Sequence, residues 1–354
     1  MGYFSYILKR LRKMNYKAMN EKIGSIAKKT GKSKAYIFYD MQKCARKHGA
    51  GYMDYDLYEM YNLNEEQRKT YITRGRNNDL VRKYCDLSYM HIFENKDEFN
   101  KLFSDYLKRD WIIVKGTPKE DVLAFIGRHS EFMAKECDGK GGFGIEKITT
   151  SSYESADAIY EYITKKTDNL VLEELIQQDE RVAAINPYAI NTVRVVTILT
   201  DDKNRSLLSL PEEERSKAKL VTHVVLACFR IGTGTNYVDN FHSDGLTAPM
   251  DEKTGTVIDN AISKKKVLYE KHPATGTMIK GFTFPYWDEV IDMVTRASKV
   301  VPQMGYCGWD IAFTPNGPVF VEGNEFPGHD LYQLPEHTPN KIGMVPRFTI
   351  KEIE

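Results

Sequence analysis

Two carboxylates and one amide near the C-terminus have the residue types and the spacing of a metal site. Asp310 opens an apolar run, residues 315–318 form a turn with an Asn-Gly pair, and Glu322 and Asn324 end the next run. Such a pair between two apolar runs predicts a β-hairpin, so both carboxylates should lie at one end of it. Residues two apart in a strand face the same side, which adds the Asn324 amide. This oxygen-rich set suits Mg²⁺, which shares hard oxygen ligands with substrate phosphates.

A glycine-rich loop is the second motif. Residues 139–144 read Gly-Lys-Gly-Gly-Phe-Gly and match the GxGxxG pattern. A dinucleotide-binding fold needs a helix after these glycines, yet residues 145–150 alternate like a strand. The pattern therefore predicts a strand–loop–strand hairpin whose backbone N–H groups could close on nucleotide phosphates; an ordinary hairpin is the alternative. A protein kinase is disfavoured, because the sequence contains neither HRD nor DFG.

The elements that must position these motifs change in type along the chain. Apolar spacing predicts a basic amphipathic helix over residues 3–18, two short helices over 20–47 and a Tyr-rich helical stretch over 52–109. Helices are also predicted over 155–165 and 286–301. Short β-branched runs, typical of strands, follow from residue 111 onward. They cover residues 111–114, 132–134, 170–172, 193–199, 221–230, 311–313 and 319–321. This order predicts an α+β protein with a helical N-terminal region.

The charge balance hides an asymmetry. The chain has 50 basic and 49 acidic residues, which disfavours a generally basic nucleic-acid-binding protein, but its first fifty residues carry 13 basic and two acidic ones. Residues 1–19 could contact an anionic membrane surface, or pack on the next domain with a solvated basic side. The five scattered cysteines include no CxxC pair, and apolar runs are too short to span a membrane. We expect a cytoplasmic protein, at most peripheral at the inner face of the membrane, without a nucleic-acid partner.

The order and spacing of these motifs resemble the ATP-grasp superfamily, and within it the sugar-transfer-associated branch, which is similar to glutamate-ligase-type enzymes. The resemblance covers roughly residues 85–340. It implies an ATP-grasp fold, in which two α+β subdomains grip ATP. The implied division is a basic helical region over residues 1–90, an N-terminal subdomain with the glycine-rich lid over 91–175, and a C-terminal subdomain with the magnesium site over 176–354.

The resemblance also implies roles for individual residues. Lys96, in an Asn-Lys pair that opens a helix, and Lys135, before the glycine loop, match the lysines that contact ATP phosphates. The matching lid residues are Gly139, Lys140, Gly141, Gly142 and Gly144. The linker that holds adenine matches Glu173, Glu174, Leu175 and Ile176. Glu173 would meet the adenine amino group, and the backbone of Leu175 or Ile176 would meet the ring.

Further matches concern the chemistry and the second substrate. Arg194 matches an arginine that reaches the γ-phosphate and the reacting carboxylate, with Asn191 beside it, and Lys135 would assist. Asp310, Glu322 and Asn324 match the Mg²⁺ ligands. Residues expected near the acceptor are Asn240, His242, His272, Thr275 and Gln333.

The implied activity is ATP-dependent ligation of a carboxylate to an amine through an acyl phosphate. The acceptor would be sugar-, amino-acid- or peptide-like, in surface-glycan or natural-product assembly. A phosphotransferase acting on a small-molecule hydroxyl is the first alternative. A non-enzymatic adaptor bound to a membrane or to nucleic acid is the second, which the intact set of metal-ligand residues disfavours.

Overall fold

The computed structural model describes residues 15–139, 144–234 and 245–352. The chain divides into two compact units. The first unit comprises residues 1–79 and 329–349, and the second comprises 80–328 and 350–354. The boundary after Asp79 falls within a helix, and residues 329–349 join the N-terminal region although the sequence-based division places them in the C-terminal subdomain. Cuts at residues 90 and 175 stay predictions.

A helical hairpin opens the described part of the first unit. Helix α1 (Tyr16–Thr30) begins where the Asn15 side chain accepts a hydrogen bond from the Ala18 N–H, and α2 (Lys34–His48) begins at a similar cap on Ser33. Gly31 ends α1 with a φ of 71°, a left-handed conformation that glycine adopts without steric cost. The two helices predicted around Gly31 are therefore confirmed, although α1 starts before residue 20. The part of the predicted 3–18 helix before residue 15 lies outside the described residues.

Short helices complete the helical part of the described chain. In chain order they are α3 (Tyr52–Leu57), α4 (Glu65–Arg68), α5 (Arg74–Tyr84), α6 (His91–Glu94), α7 (Lys96–Leu102), α8 (Ser104–Leu107), α9 (Lys119–Arg128), α10 (Ala156–Thr164), α11 (Glu180–Ala183), α12 (Glu212–Arg215), α13 (Trp287–Ala297) and α14 (Val345–Phe348). Five 3₁₀ turns occupy Met60–Asn62, Leu87–Tyr89, Thr150–Ser152, Leu207–Ser209 and Pro335–His337. No helix in the described ranges is both long enough and apolar enough to cross a membrane.

An ion pair lies inside the helical core of the first unit. Asp40 and Arg68 are both buried, and the guanidinium donates two hydrogen bonds to the carboxylate, of 2.9 and 2.7 Å. The Tyr55 hydroxyl donates a third, of 2.7 Å. Burial alone would raise the pKa of Asp40, but the hydrogen bonds from Arg68 and Tyr55 outweigh it and hold that pKa below its ordinary value.

The second unit contains two antiparallel sheets. The smaller has the strand order β1-β4-β2-β3, with β1 (Trp111–Ile113), β2 (Glu131–Glu136), β3 (Ile145–Thr149) and β4 (Leu170–Glu174). Helices α9 and α10 cover it, because Val122, Phe125 and Ile159 share a buried cluster with strand residues such as Phe132. The strand predicted after the glycine loop is confirmed as β3, which pairs with β2.

The larger sheet has eight described strands in the order β10-β9-β7-β6-β5-β11-β12, with β8 paired to β7. They are β5 (Thr192–Thr200), β6 (Val221–Ile231), β7 (Leu246–Asp251), β8 (Thr256–Val257), β9 (Ala261–Ser263), β10 (Leu268–Tyr269), β11 (Tyr306–Thr314) and β12 (Gly317–Asn324). Every residue of β5 is buried, as expected for a central strand covered on both faces. All seven predicted strand runs and both predicted helices in this part of the chain are confirmed.

The Asp40–Arg68 pair generates the first prediction. We expect Asp40→Asn to lower the free energy of unfolding by about 3 kcal/mol, because it leaves a buried guanidinium without its counter-charge. The contribution of the wild-type pair should be complete above about pH 4 and be lost as the pH falls through the lowered pKa of Asp40. Denaturant unfolding of the two proteins at pH 7 and pH 3 measures both effects.

Glu66→Gln is the matched control, because it breaks the exposed Lys69–Glu66 pair. An exposed pair contributes little, so this variant should stay within about 0.5 kcal/mol of the wild type. Equal stability of the Asp40→Asn variant and the control at pH 7 would show that the buried pair does not stabilise the unit.

Candidate active site

The two carboxylates of the C-terminal hairpin meet as the sequence predicts. Asp310 on β11 lies directly opposite Glu322 on β12, and the register then shifts so that Ile311 faces Phe320. Val321 is thus an extra residue in β12, a β-bulge of the kind that re-aims neighbouring side chains. The hairpin turn follows the Asn-Gly signal, with Gly317 at a φ of 102°.

Two arginines from the neighbouring strands surround Asp310. Arg194 on β5 donates to both carboxylate oxygens, with the Nη2–Oδ2 bond at 2.8 Å, and Arg230 on β6 donates to Oδ2. All three side chains are buried. Burial would raise the pKa of Asp310, but the two guanidinium groups outweigh it and hold this pKa well below its ordinary value. Gly308 leaves room for this arrangement, because a Cβ there would lie 3.0 Å from Arg194 Cδ.

Glu322 has a different environment, because it faces a cavity. The Glu322 side chain is exposed to this cavity. Enclosure by the surrounding protein, together with the adjacent Asp310 carboxylate, raises the pKa of Glu322. The Asn324 side chain lies on the same side of β12, with its amide nitrogen 3.5 Å from Glu322 Oε1. In the described ranges no group of three or more His, Cys, Asp or Glu side chains is placed to hold a metal ion. Two carboxylates and an amide are therefore what the hairpin offers.

Lys135 lies on β2 of the small sheet and is held there by the buried carboxylate of Glu173 on β4. Its ammonium lies 2.7 Å from Glu173 Oε2, and Glu173 also accepts hydrogen bonds from Asn100 at 2.9 Å and from Arg109 at 2.8 and 3.0 Å. Burial would raise the pKa of Glu173, but Arg109 and Lys135 lower it well below the ordinary value. Glu173 thus stays ionised and fixes the position of Lys135.

Arg109 connects this cluster to the hairpin. Besides Glu173, its guanidinium donates to the Phe320 carbonyl and, at 3.5 Å, to the Val321 carbonyl. These are the backbone groups at the bulge next to Glu322. Since the Arg109 side chain is almost completely buried, these hydrogen bonds are shielded from water. One arginine therefore ties the small sheet, which carries Lys135, to the strand that carries Glu322.

Lys96 enters the same region from the start of α7. Its ammonium donates to the Gly139 carbonyl, and burial together with the nearby charge of Lys135 lowers the pKa of Lys96. The helix is held on the hairpin by aromatic packing. Phe99 stacks on Phe103 with ring centroids 4.6 Å apart, and Phe103 meets Trp309 edge-on at 5.6 Å.

A single cavity collects most of these groups. Residues that the sequence predicts for the site and that line it are Lys96, Lys135, Gly139, Glu173, Glu322 and Asn324. Other residues lining it are Phe93, Glu94, Phe99, Asn100, Ile145, Val321, Gly323, Glu325 and Phe326. At the other end of the glycine loop, Gly144 has a φ of 69°, and a Cβ there would lie 2.6 Å from the Glu136 side chain. Cations and oxygen ligands thus face one space.

Several predicted residues have other places in the fold. Asn191 is fully buried, and its amide donates to the Asn186 carbonyl at 2.8 Å and to Gln178 Oε1 at 2.9 Å. His272 is also buried and donates from Nε2 to the Gly232 carbonyl at 2.8 Å, since Nδ1 accepts from the Ala274 N–H. Both side chains hold loops at this end of the large sheet, and their predicted catalytic and substrate roles stay predictions.

The remaining predicted residues lie in different parts of the chain. The Thr275 hydroxyl donates to the Ile185 carbonyl. Gln333 lies in the first unit, where its amide bonds to Ile72, His329 and Met344 of that unit. Glu174, at the exposed end of β4, accepts from the Asp110 N–H. Leu175 and Ile176 follow it as a partly buried loop. Residues outside the described ranges are Lys140, Gly141, Gly142, Asn240 and His242.

Sequence reasoning missed three residues that organise the site. Arg230 could have been noticed, because it is a charged residue within the apolar run of β6. Arg109 lies between Lys108 and Asp110 in a charged stretch, so nothing local marks it. Asn100 is one of several polar residues in α7. Cys137, two residues after Lys135, is buried, and burial raises the pKa of its thiol to about 11.

The chain has the ATP-grasp fold, as the paired antiparallel sheets and the cavity between Lys96, Lys135 and the hairpin indicate. It belongs to the family described as sugar-transfer associated ATP-grasp, which matches residues 75–352. A comparison with curated protein sequences finds no match.

Three solved structures illustrate the similarity. The D-alanine–D-alanine ligase from Coxiella burnetii shares 12% identity with a TM-score of 0.40, over 73% of this chain and 55% of that one. The VanG D-Ala:D-Ser ligase from Enterococcus faecalis shares 15% with a TM-score of 0.39, over 70% and 56%. The L-amino acid ligase from Bacillus licheniformis shares 11% with a TM-score of 0.40, over 75% and 50%. The matched part spans about half the length of these proteins.

Gly323, which lies between the ligand candidates Glu322 and Asn324, generates the second prediction. A Cβ at this position would lie 2.5 Å from Phe99 and 2.9 Å from Phe93, so the aromatic packing beneath Lys96 would have to move. We expect Gly323→Ala to lower the free energy of unfolding by about 1–3 kcal/mol through overpacking, and to weaken binding of a non-hydrolysable ATP analogue. Denaturant unfolding and calorimetric titration measure the two effects.

Gly127→Ala makes the same chemical change where a Cβ meets nothing within 4 Å, inside α9. It should leave stability unchanged or raise it by up to about 1 kcal/mol. If both alanine variants behave alike, the packing at Gly323 does not constrain the site.

Proposed function

We propose that this protein is an ATP-dependent ligase that joins a carboxylate to an amine through an acyl-phosphate intermediate. One observation carries the proposal: a single cavity is lined by Lys96 and Lys135, by Glu173, and by the hairpin residues Glu322 and Asn324. Cations for phosphate groups and oxygen ligands for a metal ion meet there. Phosphoryl transfer depends mainly on positioning and charge neutralisation, which this combination supplies.

ATP would bind along the small sheet. Lys96 and Lys135 would donate hydrogen bonds to its phosphate oxygens, and Gly139 and Gly144 flank the loop whose backbone N–H groups would close on them. The end of β4 and residues 174–176 would hold the adenine. Glu173 is already surrounded by Arg109, Lys135 and Asn100, so its principal task is to keep Lys135 in place.

The hairpin would supply Mg²⁺ with oxygen ligands. Glu322 and Asn324 lie on the same side of β12 and line the cavity. Asp310, opposite Glu322 at the bulge, would have to give up hydrogen bonds from Arg194 and Arg230 to join them. Magnesium in such enzymes binds one or two carboxylates and shares the substrate phosphates, which agrees with this donor set. When bound, the ion would neutralise phosphate charge and polarise the transferred group.

The reaction has two steps. An oxygen of the substrate carboxylate attacks the γ-phosphorus, the bond to the β,γ-bridging oxygen breaks, and ADP leaves. The amine then attacks the acyl carbon, the bond to the phosphate oxygen breaks, and phosphate leaves as the amine gives up a proton. The resemblance assigns the carboxylate and the acyl phosphate to Arg194. In this structure Arg194 and Arg230 are both bound to Asp310, so either arginine would have to exchange that ion pair for the substrate. The acceptor would be sugar-, amino-acid- or peptide-like, in surface-glycan or natural-product assembly. The family description, sugar-transfer associated, supports the link to sugar transfer.

The metal-ligand assignment is tested by Glu322→Gln. The amide keeps the shape of the side chain but removes a charged ligand, so acceptor-dependent ATP turnover should fall at least about a hundredfold, while the unfolding transition persists. Glu213→Gln, at an exposed position in α12, is the control and should keep full turnover. Unchanged turnover in the Glu322→Gln variant would refute the assignment.

The products test the reaction type. A ligase should release ADP and phosphate in equal amounts, each matched by one new amide bond, when a carboxylate and an amine are both supplied. Oxygen-18 placed in the substrate carboxylate should appear in the released phosphate, because that oxygen leaves with it. Transfer of the γ-phosphate to an acceptor hydroxyl, with no free phosphate, would instead identify a phosphotransferase.

A further inference from the structure

The tip of the first helical hairpin exposes an aromatic and basic surface that the proposed ligase reaction does not use. We define the hairpin tip as residues 28–39, which join the last turn of α1 to the first turns of α2. Tyr36, Phe38 and Tyr39 are 48%, 45% and 63% exposed. Single exposed apolar residues are common on proteins, but three large ones within one turn of helix mark an interaction surface.

The core of the first unit explains why these side chains point outward. On the same helix, Ile37, Met41 and Cys44 are buried and pack in the core cluster. Tyr36, Phe38 and Tyr39 therefore lie on the remaining arc of α2. The core cluster of the first unit does not include these three rings.

The charged residues of the hairpin tip itself are all basic, since the flanking acidic residues Glu21 and Asp40 lie outside it. Residues 22–39 contain five lysines and no Asp or Glu. Two of the lysines are neutralised within the unit, since Lys22 pairs with Asp56 and Lys29 pairs with Glu59. Lys28 and Lys34 are exposed at the tip itself.

A third lysine links the basic and aromatic parts of the surface. Lys32 lies over the Tyr36 ring with 5.1 Å between its ammonium and the ring centroid. In addition, the first turn of α2 contains no acidic residue, so the positive end of its dipole is not offset by a carboxylate there.

We propose that the hairpin tip docks on the surface of an anionic lipid bilayer. Tyr and Phe rings sit at the level of the lipid headgroups with their apolar faces inward, and lysines keep their ammonium groups among the phosphates. Nucleic acid is the other polyanion. Residues 22–39 contain no arginine, the side chain best suited to bidentate recognition of phosphates and bases, so the surface favours lipid.

Vesicle binding by the full chain tests the proposal. We expect the protein to co-sediment with vesicles of phosphatidylglycerol and phosphatidylcholine in equal parts, but not with phosphatidylcholine alone. Lys28→Gln and Lys34→Gln should each weaken binding about fivefold. The combined change of Tyr36, Phe38 and Tyr39 to serine should abolish it while leaving ATP turnover intact. When anionic vesicles are added, the tryptophan emission of the Phe38→Trp variant should shift to the blue relative to that of the wild type.

A matched variant in the second unit separates a local surface from a general charge effect. Lys265→Gln with Val267→Ser also removes one exposed lysine and one exposed apolar side chain, and it should bind vesicles like the wild type. If this variant lost as much vesicle binding as the hairpin-tip variants, the proposal would be overturned. Vesicle binding that survives the triple serine change would also overturn the proposal. So would the combination of no vesicle binding with binding of duplex DNA that the triple serine change weakens.

Discussion

The second unit depends on the need to neutralise one buried carboxylate. Glu173 has no contact with bulk water, so its charge must be balanced by protein groups, and Arg109 and Lys135 do this with Asn100 as a neutral donor. Because Arg109 also holds the carbonyl groups at the bulge of β12, the same charge balance sets the distance between the small sheet and the hairpin with Glu322. The proposed phosphate site is thus built around a fixed anion.

The sequence predicted what adjacent residues encode. The Asn-Gly turn and the apolar alternation on either side of it fix the register of the hairpin, so the meeting of Asp310 and Glu322 follows from local rules. The bulge at Val321 does not follow, because it depends on what the strand packs against. Arg109 pairs with a residue 64 positions away and with a carbonyl 211 positions away. No spacing within a motif can show such contacts.

The charge of the N-terminal region shows how a local sum can mislead. Thirteen basic residues among the first fifty predict a strongly positive surface. In the structure, acidic residues just beyond that window reduce it, since Asp56, Glu59 and Glu65 pair with Lys22, Lys29 and Lys43. Part of the excess positive charge is thus neutralised inside the unit. Of the other basic residues, Lys28, Lys32 and Lys34 lie at one end of the helix pair, where aromatic rings accompany them, and Lys17 and Arg46 lie at the other end.

The first unit is assembled from two segments that lie far apart in the chain. Gln333 binds the backbone of Ile72, 261 residues earlier, so the second unit is topologically an insertion into the first. During synthesis the ribosome must therefore make residues 329–349 before the helical unit can close. Until then its tyrosine-rich core lacks the last segment that covers it, and the inserted unit has the time to fold first. The final step of folding would then be the docking of residues 329–349 on the helical unit, a contact between residues far apart in the chain. Because such contacts form slowly, this small helical unit would reach its native state after the larger sheet.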